Sequence, residues 1–266
     1  MLFRSETPAA LADGELRIRG EWLSLDPYMR GRMNDGKSYV KPVDIGAVMC
    51  GEVVGRVVES RNTQFAVGDQ VAGDLGWQTL AVSNGQGLRK IMPNVPPAAQ
   101  LSVCGMPGVT AWCGLLLIGE PKAGETVVVS AAAGAVGSVV GQIAKLKGCH
   151  VVGIAGGADK CRYVVDELGF DACIDYKAGP IEGGGFAAGL KQHCPDGVDV
   201  YFDNVGGEIL DTLLAQMRLR GRVVVCGLIS DYNATEPYRL KNLRAVLVNR
   251  LKVQGMIVFD WKERYG

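Results

Sequence analysis

From about residue 125 onward, short apolar and β-branched runs alternate with stretches whose apolar residues recur at helical spacing. The runs occupy residues 126–129, 150–154, 172–176, 198–202, 222–226 and 253–259. Their starts lie roughly 22 to 31 residues apart, the length that one strand, a crossover helix and two loops require. Because these runs are apolar along most of their length, they predict a parallel sheet covered on both faces. Between the first two, Val136, Val139, Val140 and Ile143 fall at i, i+3, i+4 and i+7 and share one helical face. Ile209, Leu210, Leu213, Leu214 and Met217 continue the theme, with Gly221 standing where a C-terminal cap is expected. A doubly wound α/β sheet follows from this half of the chain.

The first hundred residues carry a different pattern. Residues 53–58, 70–72 and 77–82 read as short strands separated by Gly-Asp and Ser-Asn-Gly turns, with no helical period between them. They predict a small antiparallel, barrel-like β domain. Pro93, Pro96 and Pro97 mark a boundary near residue 98, so the expected domains are 1–98 and 99–266. The apolar stretch 103–118 is broken by Gly105, Pro107, Gly108 and Gly114 and falls short of the ~20 residues of a spanning helix, so it reads as buried core.

Composition narrows the function. The 28 Lys and Arg balance 28 Asp and Glu, which argues against a nucleic-acid or anionic-membrane partner, since both require surplus positive charge. The 37 glycines are about twice the usual share and imply many turns and close backbone approaches. None of the eight cysteines forms C-x-x-C, and the two histidines, His150 and His193, complete no tight ligand set for zinc. The opening Met-Leu-Phe-Arg-Ser-Glu lacks the apolar core of a secretion signal, so reduced thiols and a cytoplasmic location are expected.

The strongest chemical signal joins the first strand of the repeat to its first helix. Ala132-Ala-Gly134-Ala135-Val136-Gly137 matches G-x-G-x-x-G with alanine in first place. Gly134 would let the backbone approach a pyrophosphate, the helix start would supply N–H groups, and Gly137 would let helix and strand pack closely. The plain alternative is a tight turn that serves packing alone. An NAD site usually places Asp or Glu at the tip of the second strand, but here that tip reads Gly153-Ile-Ala-Gly-Gly-Ala-Asp-Lys160. Lys160 would attract a 2′-phosphate and favour NADPH. A solvated helix lysine, with Asp159 reaching a ribose instead, is the competing reading.

Five ordered motifs carry a resemblance. They are Ser24-Leu-Asp-Pro-Tyr-Met-Arg-Gly-Arg-Met33, Met106-Pro-Gly-Val-Thr-Ala-Trp112, Ala131-Ala-Ala-Gly-Ala-Val-Gly-Ser-Val-Val-Gly141, Tyr201-Phe-Asp-Asn-Val-Gly-Gly207 and Cys226-Gly-Leu-Ile-Ser-Asp-Tyr-Asn233. The chain thereby resembles, over nearly its whole length, the zinc-independent medium-chain dehydrogenase/reductases of the prostaglandin reductase, leukotriene B4 dehydrogenase and alkenal double-bond reductase group. Within that group it is most similar to the bacterial NADPH-dependent curcumin reductases. The resemblance implies a Rossmann NADPH-binding domain preceded by a GroES-like β-barrel domain. It also implies a homodimer that reduces the carbon–carbon double bond of a small hydrophobic α,β-unsaturated ketone or aldehyde.

Carried onto this sequence, the family's pyrophosphate contacts fall on Gly134 to Gly137 and its 2′-phosphate contacts on Lys160 and Tyr176. Asp175-Tyr176-Lys177 stands where the family has Asn-Tyr-Lys. Asn204, then Cys226, Gly227, Leu228, Ile229, Ser230 and Tyr232, and finally Met256, Ile257, Val258 and Phe259 would line the path to the nicotinamide. Tyr28 and Tyr232 match tyrosines that face the substrate. A neutral phenol can donate to the oxyanion that develops as hydride reaches the β-carbon. A packed core tyrosine is the bland alternative for each.

Met106 and Thr110 match a segment near the nicotinamide, although a helix start explains them equally. His150 reads as structural, Arg30 and Arg32 as solvated or carboxylate-binding, and Cys226 as a small residue beside the cofactor. The alternative functions are a quinone reductase and an NADPH-binding protein without turnover, either crystallin-like or a truncated, inactive fragment. Family members begin with further β structure and, after the sixth strand, return to complete the first domain. This chain stops at Trp261-Lys-Glu-Arg-Tyr-Gly266, so the β domain is expected to lack both flanks.

Overall fold

The computed structural model describes residue 5 and residues 9–36, 38–180 and 184–264. Most of the opening run and the last two residues lie outside them. The chain forms two compact units, residues 1–105 and 106–266.

In the first unit, β1 (Leu16–Leu23) precedes a one-turn helix, α1 (Tyr28–Gly31), and then β2 (Glu52–Ser60), β3 (Gln70–Asp74), β4 (Leu80–Ser83) and β5 (Arg89–Lys90). They make an antiparallel sheet in the order β4-β1-β2-β3-β5. Among the described residues no ladder joins β4 to β5, so the sheet is open. The sequence pattern does not predict β1, yet it lies inside the sheet, between β4 and β2. Leu16 and Ile18 alternate inward with no exposure, but register shifts at Arg17/Ile18 and Gly20/Trp22 interrupt the two-residue period that would have announced it. Leu16, Ile18, Val57, Phe65 and Val71 form the core of this sheet. Leu101, in a 3-10 turn at Pro97–Leu101, packs with Val54 and Ala72. The division therefore falls after Gly105 and not at residue 98.

The second unit opens with α2 (Met106–Cys113), which runs into a π-helical turn at Gly114–Gly119. Then come β6 (Thr126–Ser130), α3 (Ala135–Leu146), β7 (His150–Ala155), α4 (Ala158–Asp166), β8 (Ala172–Asp175), α5 (Gly185–His193), β9 (Val198–Asp203), α6 (Gly207–Leu214), β10 (Met217–Val225), α7 (Arg244–Val248) and β11 (Lys252–Gly255). All the ladders are parallel, in the order β8-β7-β6-β9-β10-β11, which is the dinucleotide-binding order with its reversal between β6 and β9.

Central strands read as continuous apolar runs because both of their faces are covered. Val127 and Val129 face one cluster with Val140, Ala144 and Phe202, while Val128 faces another with Ile154, Leu190 and Leu213. The expected α3 face is displaced. Its deepest residues are Gly137, Val140, Gly141 and Ala144, with Val136, Val139 and Ile143 on the flank. Glycine puts this helix close to its neighbours: a methyl group at Gly141 would overlap the Phe170 ring, and overpacking of that kind costs about 1–3 kcal/mol.

Two local expectations fail in the second unit. α6 ends at Leu214, Met217 already belongs to β10, and Gly221 lies inside that strand. Arg220 there has φ +61, and the ladder to β9 shifts register between Met217 and Arg222. A break in the strand, not a helix cap, is what this glycine serves. The sixth run is strand only to Gly255, and Val258–Arg264 is a 3-10 segment. Among the described residues, no helix is long and apolar enough to cross a membrane.

Candidate functional site

Parallel strands end on one edge of their sheet, and the turns that follow them carry almost every residue singled out above. β6 ends at Ser130, the chain turns through Ala131 at φ +50, and Gly134 becomes the N-cap of α3. No side chain caps this helix, and its first turn holds no acidic residue. Gly134 N–H closes the turn onto the Ala131 carbonyl at 2.8 Å, so the N–H groups that open the helix without an intrahelical partner begin at the exposed Ala135. A Cβ on Gly134 would lie 3.0 Å from the Ala131 carbonyl oxygen, and one on Gly137 would overlap that oxygen. The turn thus needs both glycines and presents backbone donors with a partial positive charge, which suits a pyrophosphate.

At the next two strand tips lies a small cationic group. Lys160 is exposed in the first turn of α4. Tyr176, just past β8, lies against Gly156, whose Cβ position is 3.0 Å from the Tyr176 ring and 2.9 Å from Lys177 Cε. Lys177 Nζ is 6.0 Å from the ring centroid of Tyr176. Lys177 is therefore a second cation at the site, next in sequence to a residue already suspected. Asp175 is spent on backbone: its Oδ1 accepts from Gly157 N at 2.8 Å and Lys177 N at 2.9 Å. Those bonds hold its carboxyl below the usual range. Asp159 pairs with Arg162.

At the switch point between β6 and β9 a buried network organises the turn. Asp203 and Ser130 have no exposure. Asp203 Oδ1 accepts from Tyr201 Oη (2.7 Å), Val205 N (3.0 Å), Gly206 N (3.0 Å) and Ser130 Oγ (3.1 Å). Its Oδ2 has no partner, and burial pushes this carboxyl above the usual range. Ser130 in turn fixes Asn204, accepting its backbone N–H at Oγ and its side-chain amide at the carbonyl, both at 2.8 Å. Asp203 O receives Cys226 N at 2.8 Å and Gly227 N at 3.1 Å, while Val205 O receives Ser230 N at 3.0 Å and Ser230 Oγ at 2.7 Å. Asn204 and the 226–232 segment are thereby held together. Only the position of Asp203 beside Asn204 hinted at this network in the sequence; strands about 70 residues apart had to be placed side by side to reveal it.

Tyr232 sits within that segment, half-buried, its hydroxyl 3.5 Å from where a Cβ on Gly227 would lie. Burial raises its phenol, partly offset by a backbone hydrogen bond from Leu228. Leu228 and Ile229 expose their side chains, and burial pushes the Cys226 thiol up to about 12. Of the last run, Met256 and Val258 turn into the core, whereas Ile257 is half-buried and Phe259 exposed. The Thr110 hydroxyl bonds the Met106 carbonyl at 2.7 Å, the structural use of that pair.

Tyr28 belongs to the first unit, at the start of α1, packed against Met29, Met49 and Cys50. Burial, with Cys50 and Asp74 adding, raises its phenol strongly. His150 binds the His193 carbonyl at 3.0 Å and lies 3.5 Å from Asp171, at the far ends of the strands. Arg30 bonds Asn34 at 2.6 Å. Among the described residues, no three His, Cys, Asp or Glu side chains gather as metal ligands.

Fold and site together define a dinucleotide-binding oxidoreductase. Residues 1–91 match the family described as N-terminal domain of oxidoreductase, and residues 135–266 match the one described as zinc-binding dehydrogenase. The chain is 51% identical over 256 residues to the NADPH-dependent curcumin reductase of Escherichia coli, covering 94% of this chain and 73% of that protein. It is 42% identical to the NADP(+)-dependent 2-alkenal reductase of Nicotiana tabacum, over 93% of this chain and 72% of that protein. The crystal structure of CurA from Vibrio vulnificus in complex with NADPH superposes with a TM-score of 0.91 at 47% identity, covering 100% of this chain and 79% of that one. The chain belongs to the zinc-independent group of the medium-chain dehydrogenase/reductases, the group that holds curcumin reductase.

Proposed function

We propose that this protein reduces the carbon–carbon double bond of α,β-unsaturated ketones and aldehydes with NADPH. The carrying observation is the uncapped, glycine-built start of α3 with the Lys160, Tyr176 and Lys177 group beside it, on a chain half identical to a curcumin reductase. The N–H groups at Ala135, Val136 and Gly137 would take the pyrophosphate, with Gly134, its own N–H bonded to the Ala131 carbonyl, letting the backbone approach it, and Lys160 and Tyr176, joined by Lys177, would take the 2′-phosphate. Asn204, the 226–232 segment and residues 256–259 would line the remaining path, Met256 and Val258 through their backbone because their side chains are buried. When bound, NADPH supplies the hydride that the β-carbon receives.

Reduction at the β-carbon leaves negative charge on the carbonyl oxygen, and Tyr28 and Tyr232 are the residues assigned to it. Burial favours the neutral phenol in both, so each remains a donor at neutral pH, where one such donor is worth roughly 2.7–4 kcal/mol. One phenol holds the oxygen; the other, or water, returns the proton to the α-carbon. The cytoplasmic setting and the homodimer rest on the family resemblance alone. Purified protein mixed with NADPH and a panel of enones should consume the reduced cofactor, read from its absorbance. Measured NADPH binding with no consumption by any enone would defeat the proposal.

A further inference from the structure

Cys161 lies in α4 and Cys173 in β8, and their sulfurs are 2.9 Å apart with the Cys173 thiol donating to the Cys161 sulfur. Both are partly exposed along a shallow depression of about 400 Å³, also lined by Ala158, Arg162, Val165, Asp166 and Asp175. Cys50, Cys113, Cys149 and Cys194 are buried.

We propose that Cys161 and Cys173 form a peroxide-sensitive dithiol whose closure to a disulfide weakens NADPH binding, the second clause resting on the cofactor site proposed above. A disulfide bond is about 2.05 Å long, so the sulfurs need to approach by only roughly 0.9 Å. Cys161 is the attacking sulfur. It accepts the hydrogen bond from Cys173 and sits near the N-terminal end of α4. Burial pushes the Cys173 thiol up, so it keeps its proton until a partner forms.

In the first step the Cys161 thiolate attacks one oxygen of hydrogen peroxide. The O–O bond breaks, the departing hydroxide takes up the proton that Cys161 released, and water and a sulfenic acid result. Cys173 sulfur then attacks the sulfenic sulfur; the S–S bond forms, the S–O bond breaks, and the leaving hydroxide takes the Cys173 proton as a second water. Two thiols lose two electrons and one peroxide becomes two waters. A thiol reductant reverses the change by exchange.

The coupling to the cofactor is geometric. Lys160 directly precedes one sulfur, and Tyr176 follows the other by three positions. Asp175 already ties the N-cap of α4, Gly157, to Lys177. Drawing α4 onto β8 shifts the groups meant for one phosphate relative to each other, and misplacements near 1 Å are costly in such sites.

The test is peroxide titration of the intact protein. A mass loss of about 2 Da with loss of two thiols is expected, both restored by dithiothreitol. Trypsin without reductant should release the dipeptide Cys161-Arg162 linked to residues 163–177, and Cys161→Ser and Cys173→Ser should each abolish that species. The NADPH dissociation constant, followed by fluorescence, should rise roughly threefold or more on oxidation and be insensitive to peroxide in Cys161→Ser. Oxygen addition to single thiols, or a disulfide elsewhere, overturns the site; the linked peptide with unchanged NADPH affinity overturns the coupling. If reduced protein does not bind NADPH at all, the cofactor reading fails while the peptide map still decides the disulfide.

Discussion

Lys160 is an exposed lysine on a helix, and nothing in its protein contacts separates a phosphate ligand from a solvated side chain. The adjoining strand tips make the distinction: Tyr176 and Lys177 gather beside Gly156, Asp175 is turned toward backbone N–H groups, and Asp159 is paired with Arg162. Lys160→Ala should raise KM for NADPH about tenfold, the lower range for a lost charge-assisted bond at an exposed site, and alter KM for NADH far less. Steady-state kinetics with both cofactors check this, and equal losses would contradict the 2′-phosphate assignment. Tyr232→Phe should lower kcat roughly 100-fold or more with little change in NADPH affinity; wild-type turnover would remove this phenol from the mechanism. Because its pKa lies above the ordinary 10.0, the neutral donor persists as pH rises, and kcat should hold through pH 9 without loss from this group. Gly134 and Gly137 were legible because a glycine turn is local. Lys177 was legible only as a neighbour, and Ser130 and Asp203 were silent because each looks like an ordinary strand end until β6 and β9 are paired.

Elements were read correctly where burial is uniform and missed where the ladder is irregular. β9 is buried throughout, so its run could not be mistaken, whereas two register shifts concealed β1 and one register shift made Gly221 resemble a cap. The junction of β9 with α6 shows what such an element end does. Asp203 Oδ1 gathers two side-chain and two backbone donors, and the carbonyl of the same residue holds the start of the 226–232 segment. Asp203→Ala leaves those donors unpaired and should cost about 3–5 kcal/mol in urea unfolding while weakening NADPH binding. Asp203→Asn keeps one acceptor oxygen and should cost about 1 kcal/mol near pH 4. Burial holds the folded carboxyl above its ordinary 3.8, so the folded protein retains a proton that the unfolded chain releases. Wild-type stability relative to Asp203→Asn should therefore fall as pH rises from about 4 toward 7. A difference that grew with pH would mean that the carboxylate is the favoured form in the fold.

Taken whole, the second unit converts one topological fact into a binding edge. Six parallel strands bring the 134–137 turn, Lys160, Tyr176, Asn204, the 226–232 segment and the 256–259 run to the same ends of a single sheet. This much was legible in the sequence, because strand spacing fixes the order of the turns even where it blurs their limits. The first unit was less so, since β1, an interior strand of its sheet, carried the weakest pattern. A ligand that joins so many turns binds only the folded sheet, and its affinity should appear as thermal stability. At about 100 times its dissociation constant NADPH adds about 2.7 kcal/mol, which for a unit of this size raises the melting temperature by roughly 5–10 °C. NADH at the same concentration lacks the phosphate that Lys160, Lys177 and Tyr176 would hold, and should give a clearly smaller shift. Lys160→Ala combined with Lys177→Ala should bring the two cofactors to nearly the same shift. If NADH already stabilises the wild-type protein as much as NADPH, the cationic group at the tips of β7 and β8 is a solvated surface and the cofactor preference must arise elsewhere.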